Sequence, residues 1–159
     1  MFSNKKKVIL VISISSLIFF LNSNEVKSQE LRVVDGDTIH LNGEKIRFTG
    51  IDTPELKQTC INQGIIDPCG VTAKEILIDK ISDNEVECII KGKDQYKRTL
   101  AECFVDGESL SRYLVRSGYA FAYRKYSKKF IKDEDYARLN KLGMWSMEFV
   151  YPWDFRRNN

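Results

Sequence analysis

The chain is poor in the groups on which most hydrolytic sites are built. Its one histidine, His40, lies between Ile39 and Leu41 in an alternating run and is expected on the solvent face of a strand. A Ser-His-Asp triad, a His-rich zinc centre and a histidine nucleophile therefore lack material. No Cys-x-x-Cys pair occurs, which removes structural zinc and thioredoxin-like chemistry. No Gly-x4-Gly-Lys-Ser/Thr loop is present to cradle a nucleotide. Repeats and low-complexity linkers are also missing. Chemistry has to rest on carboxylates, guanidinium groups and a hard metal ion.

Excess charge disappears once the N-terminus is set aside. Lys5-Lys6-Lys7 precede an apolar run, Val8 to Leu21, which has the length of a secretion signal and is short for a membrane span. Val26-Lys27-Ser28 follows as a small-residue cleavage site. Residues 1–28 are expected to be a signal peptide, the alternative being an N-terminal anchor facing outside the cytoplasm. Residues 29–159 then form one secreted or periplasmic domain. Of the 25 basic residues, Lys5, Lys6, Lys7 and Lys27 lie in the leader, and of the 22 acidic ones only Glu25 does, which leaves 21 of each. The basic balance of the whole chain is thus no argument for a polyanionic partner. Any such argument has to be local.

Cysteine is sparse but even, at 60, 69, 88 and 103, as suits an exported protein. Cys88 and Cys103 sit in two strand-like runs, Glu85–Lys91 and Arg98–Val105, and a turn at Gln95-Tyr96 sets them opposite each other. Disulfides 60–69 and 88–103 are expected, against four buried thiols if the chain is not exported.

What the chain does have is concentrated between Val34 and Glu55. Two alternating runs, Thr38–Leu41 and Lys45–Ile51, are joined by Asn42-Gly43, a strong hairpin signal. Pairing them antiparallel brings Asp37 and Asp52 to one end, with Arg47 between and Glu55 just beyond. Leu31–Val34 precedes the hairpin as a first strand. Thr53 to Gly70 reads as loop. Thr72-x-x-Glu75 is a capping box opening a helix to Ile81. The Cys hairpin follows, then helices Glu108–Ser117, stopped by Gly118, and Asp133–Leu142, stopped by Gly143. Three strands plus two, with three inserted helices, predict an α+β, mostly β chain built on a small five-stranded barrel.

Asp37, Asp52 and the carbonyl of Thr53, held extended by Pro54, form an oxygen set suited to calcium with room for water or substrate. Glu55 can take a proton from a nearby water or hold that water in line. Arg47 and Arg98 carry forks that match phosphate oxygens. Singly, each has a plain explanation: Asp-Gly-Asp as turn chemistry, Arg47 as an exposed strand residue, Arg98 as a hairpin-end charge.

Taken together, D-G-D-T, R-x4-D-T-P-E, the later Y-x-R-T-L and W-S resemble the staphylococcal nuclease (thermonuclease) family, over about Leu31 to Ser146. The resemblance implies an OB-fold barrel with three helices and a calcium-dependent endonuclease acting on DNA and RNA, leaving 3′-phosphate ends. It implies Asp37, Asp52 and Thr53 as ligands of one calcium ion, and Arg47, Glu55 and Arg98 as the catalytic set. Two departures are visible: the hairpin loop is trimmed to Asn42-Gly43, and the family's Lys-Tyr-Gly-Arg reads Gln95-Tyr96-Lys97-Arg98 here, which removes a lysine contact that Lys97 could partly replace. A non-catalytic OB-fold nucleic-acid-binding module is the alternative.

Substrate features lie later. Arg112, Arg116, Arg124, Lys125, Lys128, Lys129 and Lys132 fall in one stretch free of acids, interleaved with Tyr119, Phe121, Tyr123 and Tyr126. Basic groups with stacking rings suit single-stranded nucleic acid. Phe121 is expected in the core, Tyr123 and Tyr126 in either core or groove, and Tyr96 in the groove. A monomer is expected.

Overall fold

The computed structural model describes residues 29–158; the expected leader, residues 1–28, lies outside the described residues. In chain order the elements are β1 (Leu31–Asp35), β2 (Thr38–Leu41), β3 (Glu44–Phe48), β4 (Ile51–Asp52), β5 (Cys60–Asn62), β6 (Ile65–Asp67) and α1 (Cys69–Ile81). There follow β7 (Glu87–Lys93), β8 (Thr99–Val105), β9 (Glu108–Ser109), α2 (Leu110–Arg116), β10 (Phe121–Ala122), α3 (Ile131–Leu139), a 3-10 turn (Gly143–Ser146) and α4 (Pro152–Asn158).

The Asn42-Gly43 hairpin forms as its residues dictate. Asn42 and Gly43 both take positive φ, 50° and 83°, the geometry that matches the twist of the flanking strands. Thr38 pairs with Arg47 and Ile39 with Ile46. Alternation then buries Ile39, Leu41, Ile46 and Phe48 and leaves His40 and Arg47 on the other face. The second run is shorter than expected. β3 ends at Phe48, the chain turns at Gly50, and Ile51–Asp52 leaves the sheet to pair with β10.

The main sheet runs β1-β2-β3-β8-β7, the expected three strands plus two, with β9 added on β8. β3 and β8 are parallel and the other ladders antiparallel. The path ends at β1 and β7, so barrel closure is not part of its hydrogen-bonded ladder. The fold is α+β with more strands than helices. Cys88 lies opposite Cys103, and both expected disulfides are present, with Cα separations of 4.1 Å for 88–103 and 5.7 Å for 60–69.

Among the described residues four helices are present where three were expected, and their starts differ from the sequence signals. The Thr72–Glu75 capping box is not used. α1 begins at Cys69, held by the Cys60 disulfide, and the Thr72 hydroxyl donates back to the Pro68 carbonyl inside the first turn (3.3 Å). Glu108 belongs to β9, and Ser109 caps α2 by accepting the Arg112 N–H (3.4 Å). α3 starts at Ile131, just after the buried Phe130, with Asp133 and Glu134 in its first turn as the helix dipole favours. α4 was not expected; its start at Pro152 is where a fixed φ and a missing N–H are tolerated. The supposed loop 53–70 contains the β5–β6 ribbon.

Two cores result. The larger is packed by Ile39, Ile46, Phe48, Leu77, Val105, Leu110, Leu114 and Phe130. The smaller gathers Cys60, Cys69, Phe121 and Met144, with Trp145, Phe149, Tyr151 and Trp153 from the tail laid over it. Phe121 is fully buried, as expected, and its ring lies within 5.4 Å of those of Trp145, Phe149 and Tyr151. This second core fastens the C-terminal tail to the Glu55 side of the molecule. Among the described residues no helix is long and apolar enough to cross a membrane.

Candidate active site

Two buried carboxylates meet at the end of the hairpin. Asp37, 2% exposed, closes the turn from β1 with its N–H on the Asp35 carboxylate (3.1 Å). Its Oδ1 accepts from the Thr38 hydroxyl (3.1 Å) and from Arg47, and its Oδ2 accepts from the Thr53 N–H (3.2 Å). Asp52 is fully buried and accepts from the other Arg47 nitrogen at 2.8 Å. One guanidinium from β3 thus bridges residues ten positions before it and five after it.

Burial pushes the Asp37 carboxyl up to about 7, against the pull of Arg47 and with further upward pressure from Asp35 and Asp52. For Arg47, burial works against the charge, but Asp37 and Asp52 outweigh it and hold the group above its ordinary value. The donors of the cluster are all oxygen, two of them buried carboxylates, which suits a hard divalent cation. Among the described residues no group of three His, Cys, Asp or Glu side chains converges.

Glu55 stands beside this pair on a fastened loop. Its N–H donates to Gln58 Oε1 (3.2 Å), its carbonyl accepts from the Gln58 N–H (2.7 Å), and its side chain is 41% exposed. Gln58 is itself buried and donates to the Val150 carbonyl (2.6 Å), tying the loop to the tail. Water can reach Glu55, while Asp37 and Asp52 are shielded.

Arg98 lies in the β7–β8 turn. Asp94 Oδ2 accepts from its Nε (2.6 Å), and Asp94 Oδ1 accepts from the N–H groups of Tyr96 and Arg98 (2.9 Å each). β8 runs parallel to β3 with Leu100 beside Arg47, and Arg98 immediately precedes β8 in the turn. Tyr96 is exposed, with the Arg98 guanidinium 5.6 Å from its ring. Lys97, where the family pattern has glycine, takes a positive φ of 64°.

The basic stretch is less available than its sequence suggested. Asp133 pairs with Arg112 and accepts from Arg116, Glu134 pairs with Arg124, and Glu102 pairs with Lys129. These bonds staple the α2–α3 region. Tyr123 and Tyr126 meet edge to face at 4.9 Å, Tyr126 exposed and Tyr123 half-buried, and neither is among the buried core residues.

One residue was missed. Arg156, in α4, donates to Asp52 Oδ2 (2.6 Å), Asp52 Oδ1 (3.2 Å) and Glu55 Oε1 (2.6 Å). The only sequence signal was the Arg156-Arg157 pair itself, with nothing to link it to carboxylates a hundred residues earlier.

The staphylococcal nuclease homologue family model matches residues 45–147. The chain is similar to the succinoglycan biosynthesis protein ExoI of Rhizobium meliloti, 32% identical over 71% of this chain and 61% of that protein. It is likewise similar to the SPbeta prophage-derived endonuclease YokF of Bacillus subtilis, 34% identical over 72% of this chain and 42% of that one. An uncharacterized endonuclease of Haemophilus influenzae is 28% identical over 87% of this chain and 78% of its own length. The chain therefore spans less than two thirds of the first two relatives. With the hairpin site and this match together, the chain belongs to the staphylococcal nuclease homologue family.

Proposed function

We propose that this protein is an exported, calcium-dependent endonuclease that hydrolyses phosphodiester bonds of DNA and RNA, preferring single strands and leaving 3′-phosphate ends. The observation that carries this reading is the convergence of Asp37, Arg47 and Asp52 at one end of the hairpin, with the water-accessible Glu55 alongside. Names containing endonuclease among the relatives support it.

Asp37, Asp52 and Thr53 would hold one calcium ion, which when bound supplies positive charge to the phosphate and relieves the carboxylates. Arg47, released from bridging them, has a fork for two phosphate oxygens. Arg98, whose Nε is held by Asp94, would turn its terminal nitrogens to the same phosphate. Glu55 takes a proton from the attacking water. As the new P–O bond forms, the P–O5′ bond breaks, and the leaving oxygen is protonated from solvent. Negative charge rises on the non-bridging oxygens in the transition state, so fixed guanidinium groups favour it over the ground state. Tyr96, Tyr123 and Tyr126 would stack the flanking bases. Residues 1–28 would serve as the export signal or as an anchor to the outer side of a membrane, and 29–159 as a monomeric nuclease domain.

Incubating the protein with denatured DNA in calcium, then in excess chelator, tests the reading. Shortened products in calcium only are expected. Retention of DNA without cleavage would instead establish a non-catalytic binding module.

A further inference from the structure

We infer that Arg156 is a further catalytic guanidinium of this site, a phosphate-binding group delivered by the C-terminal helix on the side of Glu55. This rests on the nuclease reading above. Arg47 and Arg156 both donate to Asp52 Oδ1, at 2.8 and 3.2 Å, so their guanidinium groups flank one oxygen from opposite ends of the sequence. Only Arg156 also touches Glu55, through the same nitrogen that reaches Asp52 Oδ1. A group bonded to the proposed base stands where a phosphate lying between that base and Arg47 must pass. Its side chain is 38% exposed, against 17% for Arg47, so it can turn from the carboxylates to an incoming anion without unpacking the core.

The helix that presents it is built to stay. Trp153 stacks on Tyr151 (4.6 Å, 10°) and lies parallel to Tyr123 (6.0 Å, 3°), and Pro152 is buried. Upstream, Val150 accepts from Gln58, and Glu148 exchanges both backbone hydrogen bonds with Ile61. The tail is thereby sewn to the Glu55 loop itself. Beside Arg156 opens a groove of about 550 Å³ bordered by Tyr123, Arg124, Lys125, Trp153 and Arg157. Arg156 stands at the join of groove and carboxylates, where a strand lying along the cations would bring a phosphate. Before substrate arrives, its bonds to Asp52 and Glu55 fix both carboxylates. With substrate, its fork has the geometry for two phosphate oxygens.

The experiment is steady-state cleavage of a single-stranded oligonucleotide in calcium by the wild type, Arg156→Ala, Arg156→Lys and the surface control Arg138→Ala, with Tm and circular dichroism for each. Removing one transition-state donor costs about 10²- to 10³-fold in kcat. Arg156→Ala is expected to lose that much kcat with KM moved less than about threefold. Arg156→Lys should recover only part of it, and millimolar guanidinium added to Arg156→Ala should restore activity while leaving Arg138→Ala unaffected. An Ala variant with wild-type kcat, or a folded one that guanidinium does not rescue, overturns the inference. So does a variant with raised kcat and tighter calcium binding by calorimetry, which would make Arg156 an internal counter-ion displaced by the metal. A wild type that does not cut the oligonucleotide overturns the nuclease reading, and the inference with it.

Discussion

Gly70 leaves no room for a side chain against Glu55: a Cβ built at Gly70 would stand 1.8 Å from the Glu55 carbonyl oxygen and 2.7 Å from its carbonyl carbon. The first turn of α1 thus packs directly on the backbone of the proposed base, and Gly70 also donates its N–H to the Gln58 carbonyl (3.1 Å). Gly70→Ala has to push that loop aside. It is expected to destabilise the fold by about 1–3 kcal/mol, as overpacking does, and to lower kcat by a further tenfold or more in the folded fraction. Chemical denaturation together with active-site-normalised kinetics separates the two effects.

The two disulfides are expected to divide stability from activity. Each closes a short loop, with sequence separations of 9 and 15, and by loop-closure entropy contributes about 2–4 kcal/mol. Cys88→Ala/Cys103→Ala should lower the urea midpoint while leaving kcat near wild type, because that pair lies across β7 and β8, away from Glu55. Cys60→Ala/Cys69→Ala should lower both, since Cys69 starts the helix that packs on Glu55 and Cys60 belongs to the core beneath the tail. Equal kcat losses in the two double variants would contradict this assignment.

The hairpin was legible because its signals are local: alternation and Asn42-Gly43 fix register within a dozen residues, and register fixes which ends meet. The Cys88–Cys103 pairing followed from the same arithmetic. Features set by distant partners were not legible. Nothing near Arg156 announces that its acceptors are 104 and 101 positions away. The basic stretch after Ser109 looked free because its counter-charges, Glu102, Asp133 and Glu134, lie on β8 and α3. The capping box at Thr72 misled because a covalent bond to Cys60 and contact with the Glu55 loop set where α1 starts.

Calcium is expected to raise the melting temperature of the protein. Binding to the folded state alone adds RT ln(1 + [L]/Kd), about 2.7 kcal/mol at a hundredfold excess over Kd. Asp37→Asn keeps the shape of the buried group while removing one ligand charge, and should abolish most of the calcium-dependent shift. A scan with and without chelator measures it, and a shift retained in Asp37→Asn would place the ion elsewhere.

Glu55→Gln should remove most turnover while oligonucleotide binding in calcium stays within a few-fold of wild type. The substitution keeps the backbone bonds to Gln58 and loses only a half-exposed ion pair with Arg156, so a stability change below about 1 kcal/mol is expected. Fluorescence anisotropy and kcat measured on one preparation distinguish this from loss of structure. A variant that cleaves at a tenth of the wild-type rate or faster would mean that Glu55 neither takes the proton nor places the water.

Asp94 is expected to act as the positioning residue for Arg98. Its carboxylate grips Nε and two backbone N–H groups of the turn, which leaves the terminal nitrogens of Arg98 outside that ion pair. Slight burial raises the Asp94 carboxyl, but the hydrogen bonds from Arg98 outweigh it and hold the group below the usual carboxylate range. A carboxylate depressed in the folded state contributes stability that is complete above its unfolded value. That contribution is lost as the pH falls through the lower folded value, so the turn should loosen only in acid. The Tyr96 and Arg98 amide resonances, followed by NMR titration, should move together in that window and not between pH 5 and 8. Asp94→Ala should reduce kcat/KM about tenfold through Arg98, with a Tm change small enough for a surface ion pair, while Asp94→Ala in an Arg98→Ala background should cost almost nothing more. Full additivity of the two losses would show that Asp94 acts on the turn alone and leaves the placement of Arg98 to other residues.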